Sequence, residues 1–273
     1  MNRKIRIVSD LHIGHRASLI EHAKAIAPLA DGVERLVFNG DTLELKYGDL
    51  ESSHYNAAEQ KSIFLEEVSK WGVETTLITG NHDPAISEVH SASLRDGAVF
   101  ATHGDGLYKE IAPWSSSIKL LRACSKGIDE NQTGRTAEDL HRYLSLHKQV
   151  SIKAHEMDET YNPTLWGKLR IFLHQAWPPD TPFRILKCWR ETPDRAVSLA
   201  ERFEIQAKFL IVGHTHKPGI WQRGDRYVIN LGSYFPWPGA YCVDIADNLL
   251  EVKRVRKGRN RVTIGETIRS FEL

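Results

Sequence analysis

The amino-acid sequence predicts an α/β protein with a helical insertion, and three observations support this prediction. Short apolar segments alternate with amphipathic helical patterns in the N-terminal third, and strand patterns return in the C-terminal quarter. Strands that alternate with helices are typical of βαβ units and a largely parallel sheet. The stretch between these parts carries helical patterns broken by prolines. We therefore expect a core formed by residues 1–106 and 206–273, with residues 107–205 forming a helical cap.

The N-terminal part contains four predicted strands and two predicted helices. Each strand segment is short, rich in β-branched or aromatic residues, and bounded by Gly, Asp or Asn. The four segments are Lys4–Ser9, Arg35–Phe38, Thr75–Thr79 and Ala98–Thr102. Between them, apolar residues spaced three and four apart predict amphipathic helices over Leu19–Leu29 and Asn56–Trp71.

The cap is predicted to be helical, and the C-terminal part returns to strands. Helical patterns cover Ala137–Val150, Thr164–Trp177 and Asp194–Phe203. Strand patterns follow at Lys208–Val212, Arg226–Leu231, Ala240–Ile245 and Leu249–Val255. Because the last three strands are short and closely spaced, we expect them to form an antiparallel meander.

Composition narrows the classes of function. The chain has 273 residues, 41% of them hydrophobic, and its 36 Lys and Arg against 35 Asp and Glu give a net charge of +1. The net charge is therefore too small to attract nucleic acid or anionic lipid to the protein as a whole. No apolar run approaches the length of a membrane span, and the polar N-terminal segment predicts a strand rather than a signal peptide. Three scattered cysteines without a CxxC pattern indicate a reducing, cytoplasmic setting.

Five short polar motifs lie directly after predicted strands. They are Asp10-Leu11-His12, Gly40-Asp41, Gly80-Asn81-His82-Asp83, His103-Gly104-Asp105 and Gly213-His214-Thr215-His216. Ligands of open α/β sheets bind in the crevice at the carboxyl ends of the strands, so we expect the motifs to meet on one rim. In an extended strand end, residues i and i+2 face the same side, which predicts that Asp10 and His12 point together, as do His214 and His216. The glycine before each of Asp41, Asn81 and His214 allows a sharp turn and leaves room for an ion.

The side chains of these motifs are carboxylates, imidazoles and a carboxamide, which are donors that Mn, Fe, Co and Zn ions accept. No cysteine is among them, which disfavours an iron–sulfur site. Seven donors exceed what one tetrahedral ion takes, and they suit two ions that share a bridging carboxylate. Two ions about 3.5–4 Å apart can hold a hydroxide, orient a phosphoryl group and stabilise the attacking and leaving oxygens. The motifs therefore predict hydrolysis of a phosphoester.

The order Asp-x-His, Gly-Asp, Gly-Asn-His-Asp, His-Gly and Gly-His-x-His resembles that of the calcineurin-like metallophosphoesterase superfamily. The motifs cover the chain from Ile5 to about Pro218, apart from the cap. This resemblance implies a four-layer α/β/β/α sandwich and a binuclear metal-dependent phosphoesterase, in which metal-bound hydroxide attacks phosphorus in line. It implies two divalent ions as cofactors, with Mn²⁺ expected and Fe, Zn or Co as alternatives.

The resemblance also assigns roles to residues. One ion would be bound by Asp10, His12, Asp41 and His216. The second would be bound by Asp41, Asn81, His103 and His214, so that Asp41 bridges the two. His82 would be the catalytic histidine that acts on the leaving oxygen, and Glu44 would orient it. Apart from the resemblance, we expect Asp105 to orient a ligand histidine from behind, and Asp83 either to do the same or to cap the following turn.

Three features resemble the UDP-2,3-diacylglucosamine hydrolase branch of this superfamily: Glu44, the Gly-His-Thr-His-Lys-Pro ending at Pro218, and the helical insertion. The resemblance implies a phosphoester or pyrophosphate bond in a small molecule, either a UDP-diacylglucosamine-like lipid or a nucleotide. His15 and Arg16 lie just past the first motif and are candidates to contact a substrate phosphate. Aromatic residues of the cap either line a substrate pocket or pack its helices together. The segment Leu165–Trp177 would alternatively make a peripheral membrane contact.

The sequence leaves three other functions open. A metal-dependent nuclease would use the basic run Lys253–Arg261 to bind DNA or RNA, whereas this run would otherwise form a solvated strand edge. The near-zero net charge disfavours a nuclease. The long cap disfavours a protein phosphatase, and the complete ligand set disfavours a non-enzymatic binding module on the same fold. The sequence sets no oligomeric state.

Overall fold

Eleven strands and four α-helices make up the part of the chain that the computed structural model describes, which comprises residues 4–15, 17–45, 57–115, 117–128, 134–157 and 181–273. The strands are β1 (Ile5–Val8), β2 (Arg35–Asn39), β3 (Glu74–Ile78), β4 (Ser91–Leu94), β5 (Val99–Thr102), β6 (Phe209–Val212), β7 (Gly219–Arg223), β8 (Arg226–Asn230), β9 (Ala240–Ala246), β10 (Leu249–Gly258) and β11 (Arg261–Glu272). The α-helices are α1 (Ala57–Ser69), α2 (Ile118–Cys124), α3 (Ala137–Glu156) and α4 (Thr181–Arg202). Short 3₁₀ helices span Ala23–Ala30, Asp105–Leu107 and Ser125–Gly127.

The strands form two sheets. The first has six strands in the order β11-β10-β9-β1-β2-β3, and the second has five in the order β4-β5-β6-β8-β7. In the first sheet β1, β2 and β3 run parallel, with Ile5 opposite Arg35 and Arg35 opposite Glu74. In the second sheet β5, β6 and β8 run parallel, with Val99 opposite Phe209. The five strands that precede the polar motifs all belong to these two parallel groups.

Three apolar cores separate the layers. A central core lies between the sheets and includes Val37 of β2 and Ile211 of β6. The outer face of the first sheet packs against the 3₁₀ helix Ala23–Ala30 and α1, and that of the second packs against α2, α3 and α4. Neighbouring side chains of β2 enter different cores, Val37 the central one and Phe38 the outer one, as the two-residue period of a strand requires. The resulting α/β/β/α order confirms the predicted fold class.

The helices between β5 and β6 supply the outer layer of the second sheet. Two buried tyrosines join these helices to the segment after β5. The hydroxyl of Tyr108 donates to the carbonyl of Cys188 in α4, and the hydroxyl of Tyr143 in α3 donates to the carbonyl of Gly106, both at 2.9 Å. Helix α4 begins at Thr181, well before the predicted start at Asp194. Its second residue, Pro182, is compatible with the first turn because the N–H that proline lacks has no acceptor there, and Pro193 lies inside the helix. Within the described ranges, no helix combines the length and the apolar character needed to cross a membrane.

The structure does not test two predictions about the cap. The predicted helix Thr164–Trp177, which includes the segment Leu165–Trp177, lies outside the described residues. The boundaries 107–205 of the cap stay a prediction. The predicted helix Ala137–Val150 corresponds to α3, which continues to Glu156.

The predicted strands correspond to β1, β2, β3, β5, β6, β8, β9 and β10. The prediction of which strands form the antiparallel meander is wrong. Arg226–Leu231 forms β8, which pairs with β6 and β7 in the second sheet. The antiparallel meander consists of β9, β10 and β11. The edge strand is β11 rather than the basic strand β10. The sequence pattern misses β11 because most of its side chains stay exposed and show no regular alternation. It also misses the short strands β4 and β7, and it places an amphipathic helix over Leu19–Leu29 where a 3₁₀ helix forms.

Candidate dimetal site

All five polar motifs begin within two residues of a strand end. Three follow β1, β2 and β3 of the first sheet, and two follow β5 and β6 of the second. Both sheets therefore contribute to one rim. Hydrogen bonds join the two sheets there. The N–H of His214 donates to the Asp10 carboxylate at 2.9 Å, and the side-chain amide of Asn39, the last residue of β2, donates to the carbonyl of Thr102, the last residue of β5, at 3.0 Å.

The backbone of this rim is left-handed at five of the predicted ligands. The φ angles are +54° at Asp10, +49° at His12, +49° at Asp41, +67° at His214 and +58° at His216. The expectation of extended strand ends at these motifs is therefore wrong, because the ligands lie past the last paired strand residue. Non-glycine residues held in this conformation cost on the order of 1–3 kcal/mol each and concentrate at functional sites. Hydrogen bonds from the N–H of Asp10 to the carbonyl of Gly40 and from the N–H of His12 to that of Asp41 hold the loops in place.

Glycines in three motifs are required for lack of space. A Cβ atom at Gly80 would lie 2.0 Å from Asp41 Oδ1, and one at Gly213 would lie 2.1 Å from Asp10 Oδ2. A Cβ atom at Gly40 would lie 2.5 Å from the ring of the buried His103, and Gly40 has a φ of +84°. Each glycine thus lets a donor side chain from another motif approach the main chain.

The first donor group consists of Asp10, His12, Asp41 and His216, whose ligand atoms all lie within 4.8 Å of one another. His12 Nε2 lies 3.2 Å from His216 Nε2 and 3.6 Å from Asp41 Oδ2, and His216 Nε2 lies 3.3 Å from Asp10 Oδ1. The other three side chains are buried, whereas His216 keeps 28% of its side chain exposed. Two imidazole nitrogens that face each other at 3.2 Å need a proton or a cation between them, so this geometry suits a cation.

The second donor group consists of Asp41, Asn81, His103 and His214. Ligand atoms of Asp41, His103 and His214 again lie within 4.8 Å of one another. His103 Nε2 lies 3.3 Å from Asp41 Oδ2 and 3.2 Å from Asn81 Oδ1. Asp41 belongs to both groups, since the same Oδ2 atom approaches His12 of the first group and His103 of the second.

Main-chain carbonyls orient two imidazoles of the second donor group. His103 Nδ1 donates to the carbonyl of Asn39 at 3.1 Å, and His214 Nε2 donates to that of Ile111 at 2.8 Å. Metal-binding histidines usually donate their other ring N–H to such an acceptor, which fixes the tautomer and the ring orientation. The arrangement leaves His103 Nε2 and His214 Nδ1 to bind an ion.

His82 and Glu44 form a pair beside the first donor group. His82 Nδ1 lies 2.8 Å from Glu44 Oε1, and the other carboxylate oxygen lies 3.3 Å from His12 Nδ1. Burial raises the pKa of Glu44, but the imidazoles of His82 and His12 outweigh burial and hold this pKa well below its ordinary value. Glu44 is therefore ionised, and it orients both imidazoles through their Nδ1 atoms.

Asp83 joins the loop after β2 to the loop after β3. Its carboxylate accepts hydrogen bonds from the N–H groups of Asp41, Thr42, Leu43 and Gly80, at 2.7–3.2 Å. Burial and the charge of Asp41 raise the pKa of Asp83 to about 6, against the effect of these hydrogen bonds. The Asp83 carboxylate thus binds the loop after β2 and the preceding Gly80, rather than a ligand histidine or the following turn, and it positions the shared ligand Asp41.

Asp105 pairs with the insertion rather than with a ligand histidine. Its carboxylate lies 2.5 Å from Nζ of Lys148 in α3, and both side chains are buried. One turn further along α3, the hydroxyl of Ser151 donates to the carbonyl of Asn81 at 2.8 Å. No sequence signal pointed to Lys148 or Ser151, because both are isolated polar residues within a helical pattern. The insertion therefore contacts the second donor group from behind.

Burial and neighbouring charges shift the pKa of several residues in the site. Burial raises the pKa of Asp41, but His103, His82 and His12 hold it well below its ordinary value. Burial lowers the pKa of His103, but Asp41 and other buried carboxylates raise it to about 9. Burial and the neighbouring His103 lower the pKa of His214 to about 3. The carboxylates that raise the pKa of His103 would equally stabilise a cation there, and the low pKa of His214 keeps that imidazole neutral, so the donor set fits two divalent cations sharing Asp41.

An aromatic residue that the sequence analysis did not single out lies at the open side of the first donor group. Phe235 stacks on the ring of His12 at 4.9 Å between centroids and contacts the edge of His216 at 5.0 Å. It also lies 5.1 Å from the ring of His15, one of the two predicted phosphate contacts. The other, Arg16, lies outside the described residues. Phe235 sits in the loop between β8 and β9, where no motif marks it.

Comparison with known proteins identifies the family. The family model described as the calcineurin-like phosphoesterase superfamily domain matches residues 4–247. No curated protein matches the sequence.

Solved structures of several proteins are similar to this chain. The phosphoesterase YfcE from E. coli has 15% sequence identity over 98% of both chains, with a TM-score of 0.41. A dimetal phosphatase from Danio rerio has 11% identity over 96% of this chain and 98% of its own, with a TM-score of 0.46. Vps29 from Chaetomium thermophilum has 11% identity over 99% and 98%, with a TM-score of 0.45. These likenesses carry no argument about activity. Since the family model spans all five motifs and most of the sequence, the chain belongs to the calcineurin-like phosphoesterase superfamily.

Proposed function

We propose that this chain is a metal-dependent phosphoesterase that uses two divalent cations to hydrolyse a small-molecule phosphoester or phosphoanhydride. The observation that carries the proposal is the sharing of the buried Asp41 by two donor groups, with His82 beside them. Membership of the calcineurin-like phosphoesterase superfamily supports the reaction class. Mn²⁺ is the cation that we propose first, because oxygen and nitrogen donors without sulfur suit it.

In this proposal, the first donor group binds one cation and the second donor group binds the other, with Asp41 in both. When bound, the two cations would polarise the phosphoryl oxygens and lower the pKa of a coordinated water. The chain holds its own donors in place for this task. The Asp10 carboxylate accepts hydrogen bonds from the Ser9 hydroxyl and from the N–H of His214, so its orientation is fixed from both sheets.

His82 is proposed to supply the proton that the leaving oxygen takes as its bond to phosphorus breaks. Glu44 accepts the Nδ1–H of His82, which leaves Nε2–H as the donor towards the substrate. The negative charge of Glu44 stabilises the imidazolium form that this role requires. His82 keeps 25% of its side chain exposed, so it is accessible to a substrate. His15 and Arg16 are proposed to contact the phosphate from the open side.

The proposed substrate class is based on a resemblance in sequence to one branch of the superfamily. Glu44 and the sequence from Gly213 to Pro218 resemble the UDP-2,3-diacylglucosamine hydrolase branch, so we extend the proposal to a pyrophosphate bond in a nucleotide-linked molecule. The nuclease alternative has less support, because several cations of the basic run are engaged within the chain. Lys253 pairs with Asp244, Arg254 and Arg256 pair with Glu266, and Arg259 pairs with Glu21.

An assay of bis(4-nitrophenyl) phosphate hydrolysis with added Mn²⁺ tests the proposed function. We expect the wild-type chain to release 4-nitrophenolate only when the metal is present. Asp41→Asn should lose this activity, because it removes the charge shared by both cations. Asp247→Asn is the matched control, since Asp247 is an exposed aspartate that also has a positive φ angle. A wild-type protein with no metal-dependent activity on phosphate mono- or diesters would overturn the proposal.

A further inference from the structure

We propose that Trp189, Lys217 and Trp237 form a subsite that stacks the nucleobase of a nucleotide-containing substrate; this inference rests on the proposed phosphoesterase function. Trp189 lies in α4 of the insertion, and Trp237 lies in the loop between β8 and β9. Their rings lie 5.8 Å apart at an angle of 52°. Trp237 keeps 69% of its surface exposed, and Trp189 is half-buried. Two indoles from separate parts of the chain thus meet at a place open to solvent.

This aromatic pair is joined to the metal rim by short contacts. The indole N–H of Trp189 donates to the carbonyl of Thr215 at 2.8 Å, and Thr215 lies between the ligands His214 and His216. Trp237 is two residues from Phe235, whose ring stacks on that of His12. The subsite is therefore linked to the first donor group through Thr215 and through the loop that carries Phe235, and we infer that a group attached to the bound phosphate extends towards it.

The loop that carries Phe235 and Trp237 is held in place from β10. Nζ of Lys257 donates to the carbonyl of Ser233 at 2.9 Å and also to that of Phe235. The N–H of Tyr234 donates to the carbonyl of Asp10 at 3.0 Å. These bonds tie the loop, up to two residues before Trp237, both to a strand and to the first metal motif.

The chemistry of the subsite favours a nucleobase over an acyl chain. Nζ of Lys217 lies 5.2 Å from the centre of the Trp189 ring, and Lys217 forms no ion pair within the described residues. A cation beside the indole of Trp189 suits a planar aromatic group that carries phosphate, whereas an acyl chain gains nothing from the charge. Stacking on aromatic side chains tolerates any base, because every base has a π-face.

A pair of substrates with the same leaving group tests the subsite. Thymidine 5′-(4-nitrophenyl phosphate) and methyl 4-nitrophenyl phosphate differ in the base and sugar, and both release 4-nitrophenolate. We expect Trp237→Ala to lower the ratio of kcat/KM for the thymidine ester over that for the methyl ester by about 5- to 100-fold. Lys217→Met should lower the same ratio to a smaller extent. Phe183→Ala is the matched control, because Phe183 is an exposed aromatic residue of the same helix α4 as Trp189.

The outcomes separate the subsite from the proposed function. A wild-type enzyme that hydrolyses both esters, with a ratio unchanged in Trp237→Ala, would overturn the subsite and leave the phosphoesterase in place. Equal loss on both esters would also overturn it, since the indole would then bind the leaving group or support the fold. If the wild type hydrolysed neither ester, the proposed function would fail. Calorimetric titration with thymidine monophosphate would then decide the subsite alone, by binding that Trp237→Ala weakens or leaves unchanged.

Discussion

The two donor groups share Asp41 but differ in what covers them. The second donor group is closed off: His103, His214 and Asn81 are all 5% exposed or less. The insertion lies against it through the carbonyl of Ile111, which orients His214, and through Ser151, which binds the Asn81 carbonyl. The first donor group is open at His216, and its neighbours there are Phe235 and His15 from loops of the core.

This difference predicts different roles for the two donor groups, which share the carboxylate of Asp41. Under the proposed function, a substrate would reach the first donor group from the open side, where the proposed proton donor His82 and the loop that carries Phe235 also lie. The second donor group is a buried support whose geometry depends on how the insertion packs. Changes at the open side should therefore alter rate and substrate choice, while changes in the insertion should alter stability and the binding of the second cation.

The largest effect is expected on the open side, from His82→Ala. This change removes the proposed proton donor, and general acid catalysis contributes roughly 10²–10⁴-fold to rate. We expect kcat on bis(4-nitrophenyl) phosphate to fall by that range while both cations stay bound, measured by metal analysis of the purified protein. His22→Ala, at a histidine with 75% of its side chain exposed, is the matched control. Loss of the metal from His82→Ala would show that His82 is a ligand instead.

Changes on the buried side should lower the stability of the fold. Lys148→Met leaves the Asp105 carboxylate buried without its partner, and breaking a buried ion pair from one side costs about 3–5 kcal/mol. We expect the free energy of unfolding in urea to fall by about that amount. The double variant Lys148→Met with Asp105→Asn should recover most of the loss. A double variant as unstable as the single one would show that Lys148 contributes by packing.

A second buried ion pair lies in the first sheet, and its response to acid provides a comparison. Burial raises the pKa of Asp244, but Arg6 and Lys4 outweigh burial and lower it to about 2. The stability from this shift is present above the ordinary Asp pKa near 3.8 and is lost as the pH falls through about 2. The shift corresponds to about 2 kcal/mol.

Urea unfolding of Asp244→Asn at several pH values measures this effect. The variant should be less stable than the wild type at pH 7, and the difference between them should shrink by about 2 kcal/mol between pH 4 and pH 2. Asp225→Asn, at an exposed aspartate, should show no such change. A difference that stays constant with pH would contradict the assignment of the low pKa to Asp244.

The smallest effect is expected from Ser151→Ala, which removes the hydrogen bond from the insertion to the Asn81 carbonyl. A hydrogen bond of this kind contributes about 1 kcal/mol. We expect the second Mn²⁺ to bind several-fold more weakly in calorimetric titration, with the first unaffected. Ser69→Ala is the matched control, since Ser69 also donates to a main-chain carbonyl but lies in α1. Equal weakening of both cations would mean that the donor groups do not respond separately.

Much of this arrangement could be predicted from the sequence because it is local. Strands such as Phe209–Val212 are continuous apolar runs, and each motif follows its strand directly. The left-handed backbone at Asp10 and His12 could not be predicted, because it depends on hydrogen bonds to the loop after β2. The same holds for Lys148 and Phe235, which reach the site through packing between segments far apart in the chain.

The central claim is that two cations bind between these motifs and share Asp41. Crystals grown with Mn²⁺ and measured at the manganese absorption edge test it most directly. We expect two anomalous peaks, one among Asp10, His12 and His216 and the other among Asn81, His103 and His214, with Asp41 in contact with both. A single peak, or peaks that Asp41 does not join, would contradict it.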